Sequence, residues 1–274
     1  MSATVSKRTE NIEGIDVYFE EYKNYHAKDT FVLIHGFLSS SFSFRHLIPY
    51  LHIHYHVISV DLPPFGQSGK HPKYKYSYEN LANTIVTLVS SLGYKNFYLI
   101  GHSMGGQIAL NIMLQYPEKV LKGILLCSSG YLETSKKSLK LASYLPFFNY
   151  FVYFYLAKSG VEKNVRTVVY NENIIDDEMI KGYEQPFLDK QIFIGLTKMI
   201  RDREGDLSIK QLKLIKTPCL LIWGEHDRVV PLSIGKRLAR DLTNAKLIVL
   251  KDAGHLIPEE KADEVFQSIQ HFIQ

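Results

Sequence analysis

A serine set among glycines, an aspartate after an apolar run and a histidine near the carboxyl end are the residues of this 274-residue chain that could do chemistry together. Ser103 stands in "IGHSMGGQIA", where Gly101, Gly105 and Gly106 give the G-x-S-x-G spacing of a strand that turns sharply into a helix and exposes a hydroxyl. A serine hydroxyl is unreactive at neutral pH until a base takes its proton and nearby donors hold the oxyanion that its attack creates. His255, in "KDAGHLIPEE", is the candidate base. Asp227, in "LIWGEHDRVVP", could accept the second imidazole N–H and so set the tautomer whose other nitrogen receives the serine proton. Glu225 and Glu133 compete with Asp227 for that position. In the plainer readings Ser103 is a small residue in a tight turn and His255 a surface histidine. The strand-turn-helix context and the chain order Ser103, Asp227, His255 favour chemistry.

Three side chains so far apart in sequence need a frame that gathers strand ends. Short β-branched runs recur: "FVLIHGF" (31–37), "HVISVDL" (56–62), "NFYLIGHS" (96–103), "GILLCSS" (123–129), "CLLIWGE" (219–225) and "KLIVLKD" (246–252). Helical patterns lie between them. In "SYENLANTIVTLVSSLG" Leu81, Ile85, Leu88 and Val89 share one face and Gly93 stands at the C-cap. After Ser103, Ile108, Ile112 and Leu114 are core candidates. This alternation predicts an α/β fold around a mostly parallel sheet, with ligands at the carboxyl ends of the strands. "GIDVYFEEY" alternates and predicts an edge strand or hairpin.

The alternation stops between about Tyr131 and Gly205, where aromatic helical patterns replace it. That predicts a core domain of residues 1–130 and 206–274 and a helical cap, residues 131–205, over the carboxyl edge of the sheet. A helix apolar on nearly every face is usually sandwiched between layers, and "SLKLASYLPFFNYFVYFYLAKSG" reads as such a helix. Tyr150, Tyr153 and Phe154 would then wall an apolar pocket, and Arg166 could anchor a substrate carboxylate. The plainer readings are a helix lying flat on the core and an arginine paired across a helix surface.

Composition argues against several other classes. The 32 basic and 28 acidic residues leave a net charge of +4, too small an excess to imply a nucleic-acid partner without a basic stripe. The lysines of "KHPKYKYSYEN" (Lys70, Lys73, Lys75) interleave with tyrosines, yet read as a solvated loop. Cys127 and Cys219 fall in separate apolar runs and read as buried thiols, which suits a reducing compartment. "MSATVSKRTENIEG" lacks an apolar stretch of signal-peptide length, and "YLPFFNYFVYFYLA" is too short to cross a bilayer and is broken by Pro146 and Asn149. A cytoplasmic protein without stable membrane insertion is expected. In "HIHYH", His52, His54 and His56 have a spacing a metal could use, but no carboxylate or cysteine accompanies them, so no metal is expected.

With "LIHGF", "DLPPFGQS", "GHSMGG", "GEHDRVVP" and "AGHLIPEE" in this order, nearly the whole chain resembles the α/β-hydrolase fold superfamily. The resemblance implies an eight-stranded, mostly parallel sheet with helices on both faces. It places His35 and Gly36 in an oxyanion-hole loop, with the backbone N–H of Phe37 joining that of Met104 on the oxyanion. His35, Gly36, His102 and Leu256 adjoin these motifs and are expected at the substrate pocket. Pro64 stands where the family usually has glycine, so the loop after Asp61 takes a stiffer path, and Asp61 is expected to be structural. Ser103 excludes the aspartate-nucleophile chemistry of haloalkane dehalogenases and epoxide hydrolases.

The expected activity is therefore a serine hydrolase, carboxylesterase-like, cleaving an ester or related acyl bond of a small, partly apolar substrate without a cofactor. Two rivals share the site. A carbon–carbon bond hydrolase of the same fold would more often carry an aromatic residue soon after the histidine, where this chain has Leu256, Ile257 and Pro258. A signalling protein that senses a ligand or supports a protein partner would keep the same triad.

Overall fold

A computed structural model describes residues 4–157 and 160–274 of the chain. Eight strands form one sheet: β1 (Thr4–Ile12), β2 (Ile15–Lys23), β3 (Thr30–Ile34), β4 (His56–Val60), β5 (Phe97–His102), β6 (Val120–Leu126), β7 (Cys219–Gly224) and β8 (Ala245–Leu250). Their order across the sheet is β1-β2-β4-β3-β5-β6-β7-β8. β1 and β2 are antiparallel to each other and β2 to β4, whereas every other pairing is parallel. Parallel strands are covered on both faces, which is why β3 and β7, buried at every position, read as unbroken apolar runs and not as alternating ones.

The helices are α1 (Ile48–His52), α2 (Tyr78–Ser91), α3 (Met104–Gln115), α4 (Lys137–Ala142), α5 (Phe148–Ala157), α6 (Val161–Val168), α7 (Asp177–Leu188), α8 (Ile192–Asp202), α9 (Ile209–Leu212), α10 (Leu232–Asp241), α11 (Ile257–Glu260) and α12 (Ala262–Ile273). α2 starts where the Ser77 hydroxyl accepts the Asn80 N–H, and its predicted face of Leu81, Ile85, Leu88 and Val89 is fully buried. In α3, Ile108 and Ile112 are likewise buried, while Leu114 packs only partly against the core. Between β4 and α2, Lys73 and Lys75 face solvent but Tyr74, Tyr76 and Tyr78 turn inward and are buried. That loop uses its aromatics as core. Cys127 and Cys219 are buried free thiols.

The segment "GIDVYFEEY" lies in a hairpin, as one of its two readings predicts: β2 pairs antiparallel with β1 and sits inside the sheet, with β1 at the edge. The partner strand β1 is not evident in the sequence, because Lys7, Arg8 and Glu10 hide any apolar alternation, as suits an edge strand. Two details of the helical segment differ from the sequence-based expectation. The long aromatic stretch is two helices, since Pro146 follows α4 and α5 resumes at Phe148. α5 is also not sandwiched: Val152 is buried, but Tyr150, Phe151, Phe154 and Tyr155 are exposed. Lys158 and Ser159, which end the predicted helical pattern, lie outside the described residues, as do the first three residues of the chain. Among the described residues no helix is long and apolar enough to cross a membrane.

The segment between β6 and α9 holds α4 to α8 and meets the core along a polar seam. Arg45, from the core, donates through Nε to Glu259 Oε2 at 3.1 Å, and the Tyr183 hydroxyl of α7 donates to Oε1 at 3.4 Å. Burial outweighs the Arg45 charge and pushes the Glu259 carboxyl up from 4.5 to about 7. A raised carboxyl pKa means that the native state binds the proton first. The stability from this group is therefore complete below about 4.5 and is lost as pH rises through about 7. Urea midpoints of the wild type should fall across that window, and Glu259→Gln should flatten that part of the pH dependence.

Candidate active site

β5 runs into α3 through Ser103, whose backbone is held at φ 53°, ψ −119°. A non-glycine residue so placed stores on the order of 1–3 kcal/mol of strain and needs its surroundings to hold it. The Ser103 N–H donates to the Leu126 carbonyl at 2.9 Å, and its own carbonyl accepts the N–H groups of Gly106 and Ser129, each at 2.9 Å. The turn also needs room. A Cβ at Gly101 would land on the backbone of Gly105 and Gly106, and one at Gly105 on the carbonyls of Ile34 and His35.

Asp227 follows β7 and His255 follows β8, so both reach the carboxyl edge of the sheet beside Ser103. Asp227 Oδ1 accepts the N–H groups of Val229 and Val230, each at 2.8 Å, and Oδ2 faces His255 Nδ1 at 2.8 Å. With the carboxylate accepting, Nδ1 carries the proton and Nε2 is left as the basic nitrogen. Two further bonds hold the His255 loop. Its N–H donates to the Val168 carbonyl at 2.7 Å, at the end of α6, and its carbonyl accepts from His102 Nε2 at 2.9 Å. Among the described residues no hydrogen bond joins His255 Nε2 to Ser103 Oγ. In ligand-free sites this contact is often long and tightens when substrate is bound. The rivals for the acid do not compete: Glu225 and Glu133 are exposed.

The backbone N–H groups of Phe37 and Met104 make no hydrogen bond among the described residues, and both residues face the same cavity as Ser103. Cys127 Sγ lies within 4.8 Å of ligand atoms of Asp227 and His255. That grouping does not suit a metal ion, because the Asp227 oxygens already accept three N–H groups and burial pushes the Cys127 thiol up, keeping it protonated.

Ser103 opens onto a cavity of about 780 Å³. The core contributes Phe37, Tyr78, Ser129, Gly130, Val229, Val230, Pro231 and Ile234, and the helical segment supplies Leu132, Leu139, Phe148, Phe151, Val152, Tyr155, Leu156, Leu196, Met199 and Ile200. The polar side chains along its wall are those of Ser103, Ser129, Ser135, Tyr78, Tyr155 and Arg203, and Arg203 Nη2 donates to the Glu133 carbonyl at 3.0 Å.

Several residues expected at the pocket lie elsewhere. Tyr150 and Phe154 do not line it: on α5 the cavity face is Phe148, Phe151, Val152, Tyr155 and Leu156, a helical spacing that turns 150 and 154 away. Tyr153 packs edge-on against Phe193 instead. Arg166 pairs with Glu162 and Glu172 on the outer surface of α6. Leu256 is buried in a separate cluster with Val165, Val169, Met179 and Tyr183. His35 is buried behind the oxyanion loop, with Nδ1 donating to the Gly36 carbonyl at 2.7 Å and Nε2 accepting the Leu62 N–H at 2.9 Å. Gly36 lies against Ser103 and His102 without lining the cavity. His102 props the His255 loop from beneath, and burial, aided by the His255 charge, lowers its pKa to about 3, so it is neutral at physiological pH. Asp61 is structural as expected, since its carboxylate accepts the N–H groups of Ser41 and Gln67.

Sequence reasoning missed most of the wall. Val229, Val230 and Pro231 were within reach of it, because an apolar triplet directly after the acid at a strand end must face the same edge. Leu196, Met199 and Ile200 share one face of α8, but nothing local says which surface that face meets.

A family model described as the alpha/beta hydrolase fold matches residues 29–262. An uncharacterized hydrolase, YugF, of Bacillus subtilis (strain 168) is 47% identical over the full length of both chains. A 2-hydroxy-6-oxononadienedioate/2-hydroxy-6-oxononatrienedioate hydrolase of Paraburkholderia phymatum is 27% identical, covering 99% of this chain and 96% of that one. Among solved structures, a 2-hydroxy-6-oxo-6-phenylhexa-2,4-dienoate hydrolase from Rhodococcus sp. strain RHA1 superimposes with a TM-score of 0.82 at 21% identity, over 99% of each chain. A thermophilic esterase from Thermogutta terrifontis gives 0.79 at 20% identity, over 98% of each. With its sheet order, its elbow and this family match taken together, the chain is an α/β-hydrolase fold hydrolase.

Proposed function

We propose that the protein is a carboxylesterase-type serine hydrolase acting on an ester, or a related acyl compound, with an extended apolar moiety. The observation that carries this reading is the cavity itself: one apolar chamber onto which a strained serine and two undonated amides open beside an aspartate-oriented histidine. Ser103 Oγ attacks the carbonyl carbon and passes its proton to His255 Nε2. The N–H groups of Phe37 and Met104 hold the oxyanion. When the tetrahedral intermediate collapses, the alcohol leaves with the proton from His255, and Ser103 keeps the acyl group. Water, activated by the same imidazole, then releases the acid and restores the hydroxyl. Asp227 keeps the ring in its productive tautomer and stabilises the imidazolium. Residues 131–205 act as a cap that excludes water and shapes the acyl site. A small-molecule substrate suffices, with no cofactor, nucleic acid or protein partner in the reaction.

A carbon–carbon bond hydrolase is the second reading, favoured by the names of relatives and by one residue. A dienoate of the kind those relatives are named for carries a carboxylate, and Arg203 is the cationic side chain at the cavity wall. Turnover of such a dienoate with esters left intact would establish that reading over the first.

Ser103→Ala should abolish hydrolysis of p-nitrophenyl butyrate and labelling by a fluorophosphonate probe, with the probe mapping to Ser103 in the wild type. Asp227→Asn should lower kcat by about 10⁴-fold, because the imidazole then adopts the wrong tautomer. Leu196→Trp, which fills the chamber from α8, should reduce kcat/KM for p-nitrophenyl octanoate by roughly ten-fold or more while sparing the acetate ester. Equal losses for both esters would show that the acyl chain lies elsewhere.

A further inference from the structure

The helical segment leaves a large apolar surface uncovered. Leu141 is 75% exposed, Tyr144 67%, Leu145 64%, Phe147 76% and Phe154 66%, all within α4, α5 and the turn joining them. Monomeric proteins rarely leave so many neighbouring large apolar side chains in water without a use for them. Phe147 adds a second sign. Its backbone has φ 63°, a strained conformation for a bulky residue, and the side chain so displayed points into solvent.

Charge indicates what the surface meets. Between Thr134 and Val161 the chain carries Lys136, Lys137, Lys140 and Lys158 and no acidic residue. Lys136 and Lys137 are exposed at the start of α4. We propose that the α4–α5 arm docks reversibly on an anionic lipid bilayer, its aromatic and leucine side chains in the interfacial region and Lys136 and Lys137 among the headgroups. Exposed phenylalanine and leucine side chains with lysines beside them favour that interface, and tyrosine favours its boundary with water. The ten residues of α5 are too few to span the bilayer. A second copy of the chain fits less well, because a two-fold contact through this face would bring the two lysine groups together. The surface is also continuous with the cavity: Phe151 and Tyr155 are exposed on α5 and line the chamber above Ser103. A docked arm would thus place the chamber beside the bilayer.

The test is flotation of the full chain with vesicles, read without turnover, so its result is separate from that of the esterase reading. The protein should float with vesicles of phosphatidylglycerol and phosphatidylcholine, less so with phosphatidylcholine alone, and less again at high salt. The pair Leu141→Ser and Phe147→Ser, exposed and outside the cavity wall, should keep the wild-type melting temperature and lower partitioning on the order of ten-fold. Lys136→Glu with Lys137→Glu should remove the preference for anionic vesicles. A wild type that stays in the lipid-free fraction at every composition overturns the proposal. So does a dimer in lipid-free buffer that the Leu141 and Phe147 substitutions dissociate, which would assign the face to a second copy.

Discussion

The close crossing of β5 and α3 is the constraint on which the site depends. Where the strand becomes the helix, the backbones come so near that no side chain fits at Gly101, and none fits at Gly105 against the end of β3. The same crossing forces Ser103 to positive φ. That geometry lifts the hydroxyl above the sheet edge and leaves the first amide of α3, on Met104, without an internal partner. Exposure of the Ser103 hydroxyl and of the free Met104 amide are thus two results of one steric fact. The strain is retained because two backbone hydrogen bonds tie Ser103 to β6 and the loop after it, and a third closes the first turn of α3.

Asp227 and His255 are positioned by a different device. Their loops are long enough to wander, so the structure pins them from three sides. Val229 and Val230 hold one carboxylate oxygen of Asp227, Val168 of the helical segment holds the His255 amide, and the ring of His102 holds the His255 carbonyl. The bond from Val168 means that the helical segment helps to place the base as well as roofing the cavity. His102 can serve as this prop because burial keeps it neutral. A charged ring there would repel an imidazolium at His255.

The helical segment answers two demands with one set of aromatic residues. One face of α5 supplies the chamber wall and the other lies open to solvent, so its sequence shows no polar face to reveal which way it points. This explains the misplacement of Tyr150 and Phe154. Apolar periodicity locates a buried face only when a polar face opposes it, and here there is none. The break at Pro146 is legible in the sequence, whereas the strained turn at Phe147 that displays the surface is not.

By itself the sequence determined the alternation of strands and helices from β3 to β6 and again at β7 and β8, the mostly parallel sheet, the elbow at Ser103 and the identities of its candidate acid and base. Those features are local: a glycine spacing, a run of β-branched residues, or a short motif at a strand end. Only the tertiary structure decided that His35 and Leu256 are packing residues, that Arg166 faces outward, that Arg203 borders the chamber and that α5 is half uncovered. Each of those outcomes depends on which surface meets a given side chain across tens of residues of intervening chain. Local propensity and periodicity carry no information about that partner, because burial is a property of the pair of surfaces and not of either sequence alone.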